Sequence, residues 1–294
     1  RGRFLIIRRK QKAAPSASLL PAVLTEIFST LPFPKLMRWE SSGFRFPRPV
    51  RWTLALLDRK VVNWALAGVK AGRKTWGHRF LAPRSAAVPA ADWKAFVKLL
   101  GRLHVTLSLA ERERVIRKAL ESRYHQHGPD PGLIHTTAQL VEEAFPIEGT
   151  FSKTFLELPS EVLVSSMKKH QRVFACRGAR GQLLNRFVGV MNGKRQGLGR
   201  IREDFENVLA SRLRDAGYFY RADTEKPLEE KVAALSQIIY LGKLGTVLDK
   251  TRRLEGWAEL FSDLLGRADL RGDLKRAARL SKADLVTQMV YEFP

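Results

Sequence analysis

Cys176 and His170 stand six residues apart in the sequence, a spacing that could bring a thiol to an imidazole, and Arg177 beside the cysteine would favour a thiolate. The surrounding run, Val173 to Cys176, is apolar and strand-like, which favours a buried structural cysteine. His125-Gln126-His127 offers two potential metal ligands. It adjoins the breaker Gly128-Pro129-Asp130-Pro131-Gly132 with no Asp or Glu at ligand spacing, the pattern of a solvated helix end. The other histidines are His78, His104 and His135, and no His-Asp dipeptide occurs anywhere. A metal phosphohydrolase of the His-Asp class is therefore the weaker alternative. Asp284 follows Lys282 and Ala283, and a lysine there would repel a dication. Ser281 and Asp284 also fit a plain helix start. Gly193-Lys194-Arg195-Gln196-Gly197-Leu198-Gly199 lacks the order of a phosphate-binding loop. The residue chemistry predicts no active site and no metal site in this chain.

The basic residues carry the stronger signal. The chain has 294 residues, with 52 Lys+Arg against 29 Asp+Glu, a formal charge of +23. A field of that sign favours polyanions. Lys35, Arg38, Arg45, Arg48 and Arg51 interleave with Trp39, Phe44, Phe46 and Trp52. Cations with aromatics can pair phosphates and stack bases, and the same residues could form a core with a solvated rim. Lys168-Lys169-His170-Gln171-Arg172 closes an expected helix, where cations also complement the helix dipole. Lys243, Lys250, Arg252 and Arg253 follow on another helix, and then Lys275, Arg276, Arg279 and Lys282. Arg212 is expected to pair with Asp215. A general basic RNA-binding fragment is a further alternative. One cysteine excludes an internal disulfide, and no apolar run is long enough to cross a membrane as a helix. The opening Arg1-Gly2-Arg3 has no initiator Met and no signal-peptide pattern, which suggests a piece of something longer.

These residues need elements to hold them. Phe4–Ile7 reads as a short strand, and Leu19 to Leu31 as a helix ended by Pro32 and Pro34. Val50–Leu57 and Val61–Leu66 read as a hairpin joined by Asp58-Arg59-Lys60. Ala90 to His127 and Leu133 to Ala144 are helical, Phe155–Leu158 strand-like, and Pro159 opens a helix to about Lys168. Val173–Cys176 and Leu183–Val190 flank a second hairpin turn. Beyond Gly199, three helical stripes follow: Phe205 to Tyr220, Leu228 to Ile239, and Leu254, Trp257, Leu260, Phe261 and Leu264. A final helix runs from Lys282 to Phe293. The fold class is α+β: a mixed module over 1–199, then an all-helical module over 200–294 that stops before it is complete.

The chain resembles a known family throughout its length. The marks are Leu31-Pro32-Phe33-Pro34-Lys35-Leu36-Met37-Arg38-Trp39, Phe46-Pro47-Arg48-Pro49-Val50-Arg51-Trp52, Gly77-His78-Arg79-Phe80, Leu158-Pro159-Ser160-Glu161-Val162-Leu163 and Met167-Lys168-Lys169-His170-Gln171-Arg172-Val173-Phe174. In the second half they are Arg212-Leu213-Arg214-Asp215-Ala216-Gly217-Tyr218-Phe219-Tyr220, Lys243-Leu244-Gly245-Thr246-Val247-Leu248-Asp249-Lys250 and Leu280-Ser281-Lys282-Ala283-Asp284-Leu285. Together they resemble the β subunit of bacterial heterotetrameric (α2β2) glycyl-tRNA synthetase.

The resemblance implies a first module like the editing-type domain of phenylalanyl-tRNA synthetase and a degenerate His-Asp-type helical domain after it. It implies that the anticodon-binding domain lies beyond this piece, which would make it an internal fragment. The β subunit would bind tRNA(Gly) and support glycylation at the α subunit, which uses ATP and Mg; this chain would hold no cofactor. Its partners would be tRNA(Gly) and the α subunit in a cytoplasmic hetero-oligomer. The residues expected to contact RNA are Arg38, Arg48, Arg51, His78, Arg79, Lys168, Lys169 and Arg172, with Lys243, Lys250 and Arg253 in the second module.

Overall fold

The computed structural model describes residues 13–121, 129–193 and 196–292. The expected strand Phe4–Ile7, the His125-Gln126-His127 motif and the Lys194-Arg195 pair lie outside the described residues. The chain is α+β, and it divides into two compact units. The first takes the described residues up to Arg112 together with 192–193; the second takes Glu113–Met191 and the residues from 196 onward. Residue 199, where the sequence reading placed its boundary, falls within the second unit.

In the first unit, helix α1 (Ser16–Thr30) stops before Pro32. Leu20, Leu24 and Phe28, spaced four apart, turn one helix face onto buried Val62, Trp64 and Leu66. Trp64 stacks on Phe28 at 5.5 Å, and its indole N–H donates to Thr25 Oγ1 at 3.0 Å. Burying each such side chain contributes about 1.5–3 kcal/mol. The first hairpin is present but short: Leu56–Leu57 pairs antiparallel with Lys60–Val61 across Asp58, whose φ is +52°. The expected strand Val50–Leu57 is broken. Its earlier part, Thr53–Leu54, pairs parallel with Val69–Gly72, which also pairs antiparallel with Ala65–Leu66. Lys74–Trp76 pairs with Ser85–Ala87, and Met37–Arg38 with Arg45–Phe46. Helix α2 (Trp93–Arg102) starts at Asp92, whose carboxylate accepts from Ala95 N at 3.1 Å. Helix α3 (Leu109–Glu121) begins in this unit and ends in the second.

The second unit is built on a three-stranded antiparallel sheet. Leu183–Met191 is central, Phe145–Thr150 lies on one side and Phe174–Arg177 on the other. The latter two of these in chain order, Phe174–Arg177 and Leu183–Met191, form the second hairpin. Cys176 is buried in this sheet. Helix α4 (Pro131–Gln139) precedes it, with Asp130 as cap and Pro131 in the first turn. Helix α5 (Ser160–Ser165) starts after Pro159 and leads into a π-helical turn, Ser166–Gln171. Helix α6 (Leu198–Thr224) lays Leu209 and Leu213 on Leu163, Met167 and Phe187. Gly189 makes this approach possible, since a Cβ there would lie 2.9 Å from the Phe205 ring. Phe155–Leu158 is not a strand: Lys153–Glu157 is a 3-10 helix nucleated by Ser152, whose hydroxyl accepts from Thr154 N.

The later part is not all-helical. The expected helix from Leu228 to Ile239 resolves into α7 (Leu228–Lys231), a 3-10 segment (Val232–Gln237) and a hairpin pairing Ile239–Leu241 with Gly245–Thr246. Gly245, at φ +79°, turns the chain there. Helix α8 (Val247–Leu264) starts at a capping box between Thr246 and Asp249 and packs on α9 (Arg271–Leu280). Val247 joins Val232, Leu235 and Ala283 in a small core. The stripe expected to be core is not: Trp257, Leu260, Phe261 and Leu264 are exposed, while Thr251 and Ser262 face inward. The expected helix 282–293 is a 3-10 turn (Ala283–Val286) followed by α10 (Gln288–Glu292) within the described residues. Ser281 does not cap its start; its hydroxyl donates back to Ala278 O at 2.8 Å.

Candidate nucleic-acid interface

In the first unit, short ladders present cations beside aromatic rings. Arg38 and Arg45 face each other across the Met37–Arg38 and Arg45–Phe46 ladder. Trp39 donates its indole N–H to Phe46 O at 2.8 Å, which fixes the ring while leaving it exposed. Arg48 sits between Pro47 and Pro49, and the following proline disfavours helical backbone there. Arg48, Arg51 and Arg79 are exposed, and none makes a side-chain hydrogen bond or ion pair among the described residues. Trp52 lies on Trp76 at 4.7 Å. Four indoles of this unit remain open to solvent: Trp39 at 40%, Trp52 at 43%, Trp76 at 39% and Trp93 at 67%. Trp76 and Trp93 are not among the aromatics expected beside cations, although Trp76 stands between Arg73-Lys74 and His78-Arg79 and so carries the same basic-aromatic signal. For Trp93 the readable signal is its place directly after the Asp92 cap.

His78 belongs elsewhere. It is 1% exposed, and Phe80 N and Leu81 N both donate to its Nδ1 at 3.2 Å. Nδ1 is therefore the acceptor, and Nε2 carries the proton donated to Asn192 Oδ1 at 2.7 Å. The expectation that His78 meets a base is corrected: its ring organises the loop that displays Arg79 and Phe80.

In the second unit, Lys168, Lys169 and His170 lie on the π-helical turn, and Arg172 ends it in left-handed backbone at φ +51°. That conformation is sparsely populated for a residue with a side chain. Lys168 Nζ reaches Asp130 Oδ2 at 2.5 Å. The lysine hydrogen bond, reinforced by the backbone N–H groups of Leu133 and Gly132, holds the Asp130 carboxyl below the usual carboxylate range. Lys168 is thus partly neutralised; Arg172 and Lys169 are exposed. Arg212 and Asp215 border a small cavity with His170 and Phe219, but no ion pair joins them among the described residues.

Lys243, Lys250 and Arg253 gather around the hairpin before α8. Lys250 Nζ sits 4.1 Å from the Tyr240 ring centre, and an Arg253 guanidinium N–H donates to Leu244 O at 3.2 Å. Lys243 is exposed near the turn. Most acids nearby are already engaged by other cations: Glu259 with Lys275, Asp263 with Arg271, Glu229 with Arg276 and Asp249 with Arg252. Hydrogen bonds from Thr246 hold Asp249 low, and the hydrogen bond Lys275 donates to the Glu259 carboxylate holds Lys275 high. Each unit therefore shows cations that its own carboxylates do not cancel. Among the described residues, no three His, Cys, Asp or Glu side chains gather as a metal-ligand set.

A family model described as glycyl-tRNA synthetase beta subunit matches residues 1–294. The chain belongs to that family. It is 40% identical over 301 residues to the glycine–tRNA ligase beta subunit of Moorella thermoacetica, covering 100% of this chain and 43% of that protein. To its counterpart in Oleidesulfovibrio alaskensis it is 39% identical, covering 100% of this chain and 42% of that protein. To that of Bacillus subtilis it is 35% identical, covering 99% and 43%. The chain thus spans less than half the length of these curated relatives. Among the described residues, no helix is long and apolar enough to cross a membrane.

Proposed function

We propose that this chain is a tRNA-binding part of a glycine–tRNA ligase β subunit, and that it contributes position and charge rather than bond-making chemistry. The observation that carries the reading is the set of uncancelled cations beside exposed aromatics, Arg48, Arg51 and Arg79 with Trp52 and Trp76, in a member of this family. Phosphates of tRNA(Gly) would lie on these arginines and, in the second unit, on Lys169, Arg172, Lys243, Lys250 and Arg253. Glycine activation with ATP and Mg belongs, on this reading, to an α-subunit partner in a cytoplasmic hetero-oligomer. The first module over 1–199 is read as related to the editing-type domain of phenylalanyl-tRNA synthetase, and 200–294 as a degenerate His-Asp-type domain that holds no catalytic metal.

The test is tRNA binding by the chain across a salt series, with and without a glycyl-tRNA synthetase α subunit. Affinity is expected to fall steeply with salt, by orders of magnitude between about 50 and 200 mM if several phosphates are neutralised. Affinity that ignores salt would reject the reading.

A further inference from the structure

The first unit holds a cleft of about 1020 Å³ bordered by Arg48, Arg51 and Trp52, and the proposed function leaves its apolar interior unassigned. Its lining is mainly apolar and includes Leu24 and Phe28 of α1 together with Val62. Its lining also includes Arg48, Arg51, Trp52 and Trp93. These four are exposed, and the two guanidinium groups have no partner among the described residues. The setting is rigid: Pro47 and Pro49 bracket Arg48, Trp52 is braced by Trp76, and Trp93 is the first residue of a side-chain-capped helix. Asp92 lines the cleft as well, but its carboxylate is occupied by Ala95 N.

A purely apolar ligand would leave two cations unanswered, and a base inside a duplex must first be unpaired and unstacked, at a cost of a few kcal/mol, to enter a concave site. A splayed nucleotide meets both demands, because its base is a flat apolar body and its phosphate an anion. We infer that this cleft receives one or two unpaired nucleotides of an RNA single strand, the base against Trp52 or Trp93 and the phosphate on Arg48 and Arg51. The inference rests on the tRNA-binding reading and assigns that reading a specific single-strand pocket.

The test uses the full chain, a glycyl-tRNA synthetase α subunit and three RNAs: a single-stranded dodecamer, the same sequence as a duplex, and tRNA(Gly). Tryptophan emission and direct binding are followed at one fixed salt concentration for the wild type, Trp93→Ala and Arg48→Ala/Arg51→Ala. Circular dichroism confirms that each variant is folded. The single strand is expected to quench emission, and each variant to bind it about tenfold more weakly, a loss within the range for one stacked base. Duplex affinity is expected to change less than twofold in Trp93→Ala. Unaltered single-strand affinity in both variants, with tRNA binding retained, would overturn the pocket and leave the tRNA-binding reading standing. Absence of binding to all three RNAs would remove both. Loss of α-subunit binding in the variants, with RNA affinity intact, would assign the cleft to a protein contact and overturn the inference.

Discussion

His78 Nε2 donates to Asn192 Oδ1 at 2.7 Å across 114 residues of sequence. The contact ties a loop of the first unit to the short stretch of chain that rejoins it after the long central strand. The ring is buried with both nitrogens engaged, so its removal takes away the hydrogen bond to Asn192 Oδ1 and the acceptor of the Phe80 and Leu81 N–H groups. His78→Ala is expected to destabilise the chain by about 2–3 kcal/mol. A double-mutant cycle with Asn192→Ala, read by urea unfolding, should give a coupling of about 0.5–3 kcal/mol. Additive losses would show that the pair is not a working contact.

Asp130 caps α4 and binds Lys168, and these contacts depress its carboxyl pKa. A carboxyl lowered on folding adds stability above its unfolded value of about 3.9. That stability is lost as pH falls through the folded value. The urea midpoint of the wild type should therefore drop from about pH 4 downward more than that of Asp130→Asn, which keeps a capping side chain without the titration. Parallel pH profiles for the two proteins would contradict this.

Gly149 pairs directly with Phe187 in the sheet of the second unit, and a Cβ at that position would fall on the phenyl ring. Phe187 is fully buried against Met167, Leu163 and α6, so any shift of the ring must displace core neighbours. Gly149→Ala is expected to cost about 1–3 kcal/mol by overpacking. Thermal unfolding would register it, and a neutral result would mean that the ring can be accommodated elsewhere.

Arg79 and Lys243 are exposed and make no side-chain hydrogen bond or ion pair among the described residues, so their replacement should leave stability within about 0.5 kcal/mol. Each alanine variant is expected to weaken tRNA binding uniformly and to lower the slope of log affinity against log salt by about 1. An unchanged slope would remove that residue from the phosphate contacts.

Some of this was legible in the sequence for local reasons. Asp58-Arg59 and Arg177-Gly178-Ala179-Arg180-Gly181 turn the chain through their own chemistry, and both hairpins appear where they were expected. Helices α1 and α6 follow their periodicity because one face of each meets a core. The 3-10 segments and the π turn were not legible, since their hydrogen bonding depends on what packs around them. The α8 stripe misled because buried Thr251 and Ser262 look like surface residues. At the interface, the arginines announced themselves by clustering. Trp93 did not, because the structure brings it to the cations from a separate element, whereas Trp76 stands between Arg73-Lys74 and His78-Arg79 and carries the same signal in the sequence. His78 was named for its chemistry, yet its environment makes it structural.

The outward face of α8, with Trp257 stacked on Phe261 and Leu264 beyond, has a consequence for how copies of this chain behave toward one another. Like charge of +23 keeps molecules apart while their fields reach far, about 30 Å at 0.01 M salt. At 0.15 M that reach shrinks to about 8 Å, and greasy stripes can then touch. Ionic strength thus sets colloidal behaviour as well as RNA affinity, and clumping at high salt can mimic release of a bound polyanion unless light scattering separates the two.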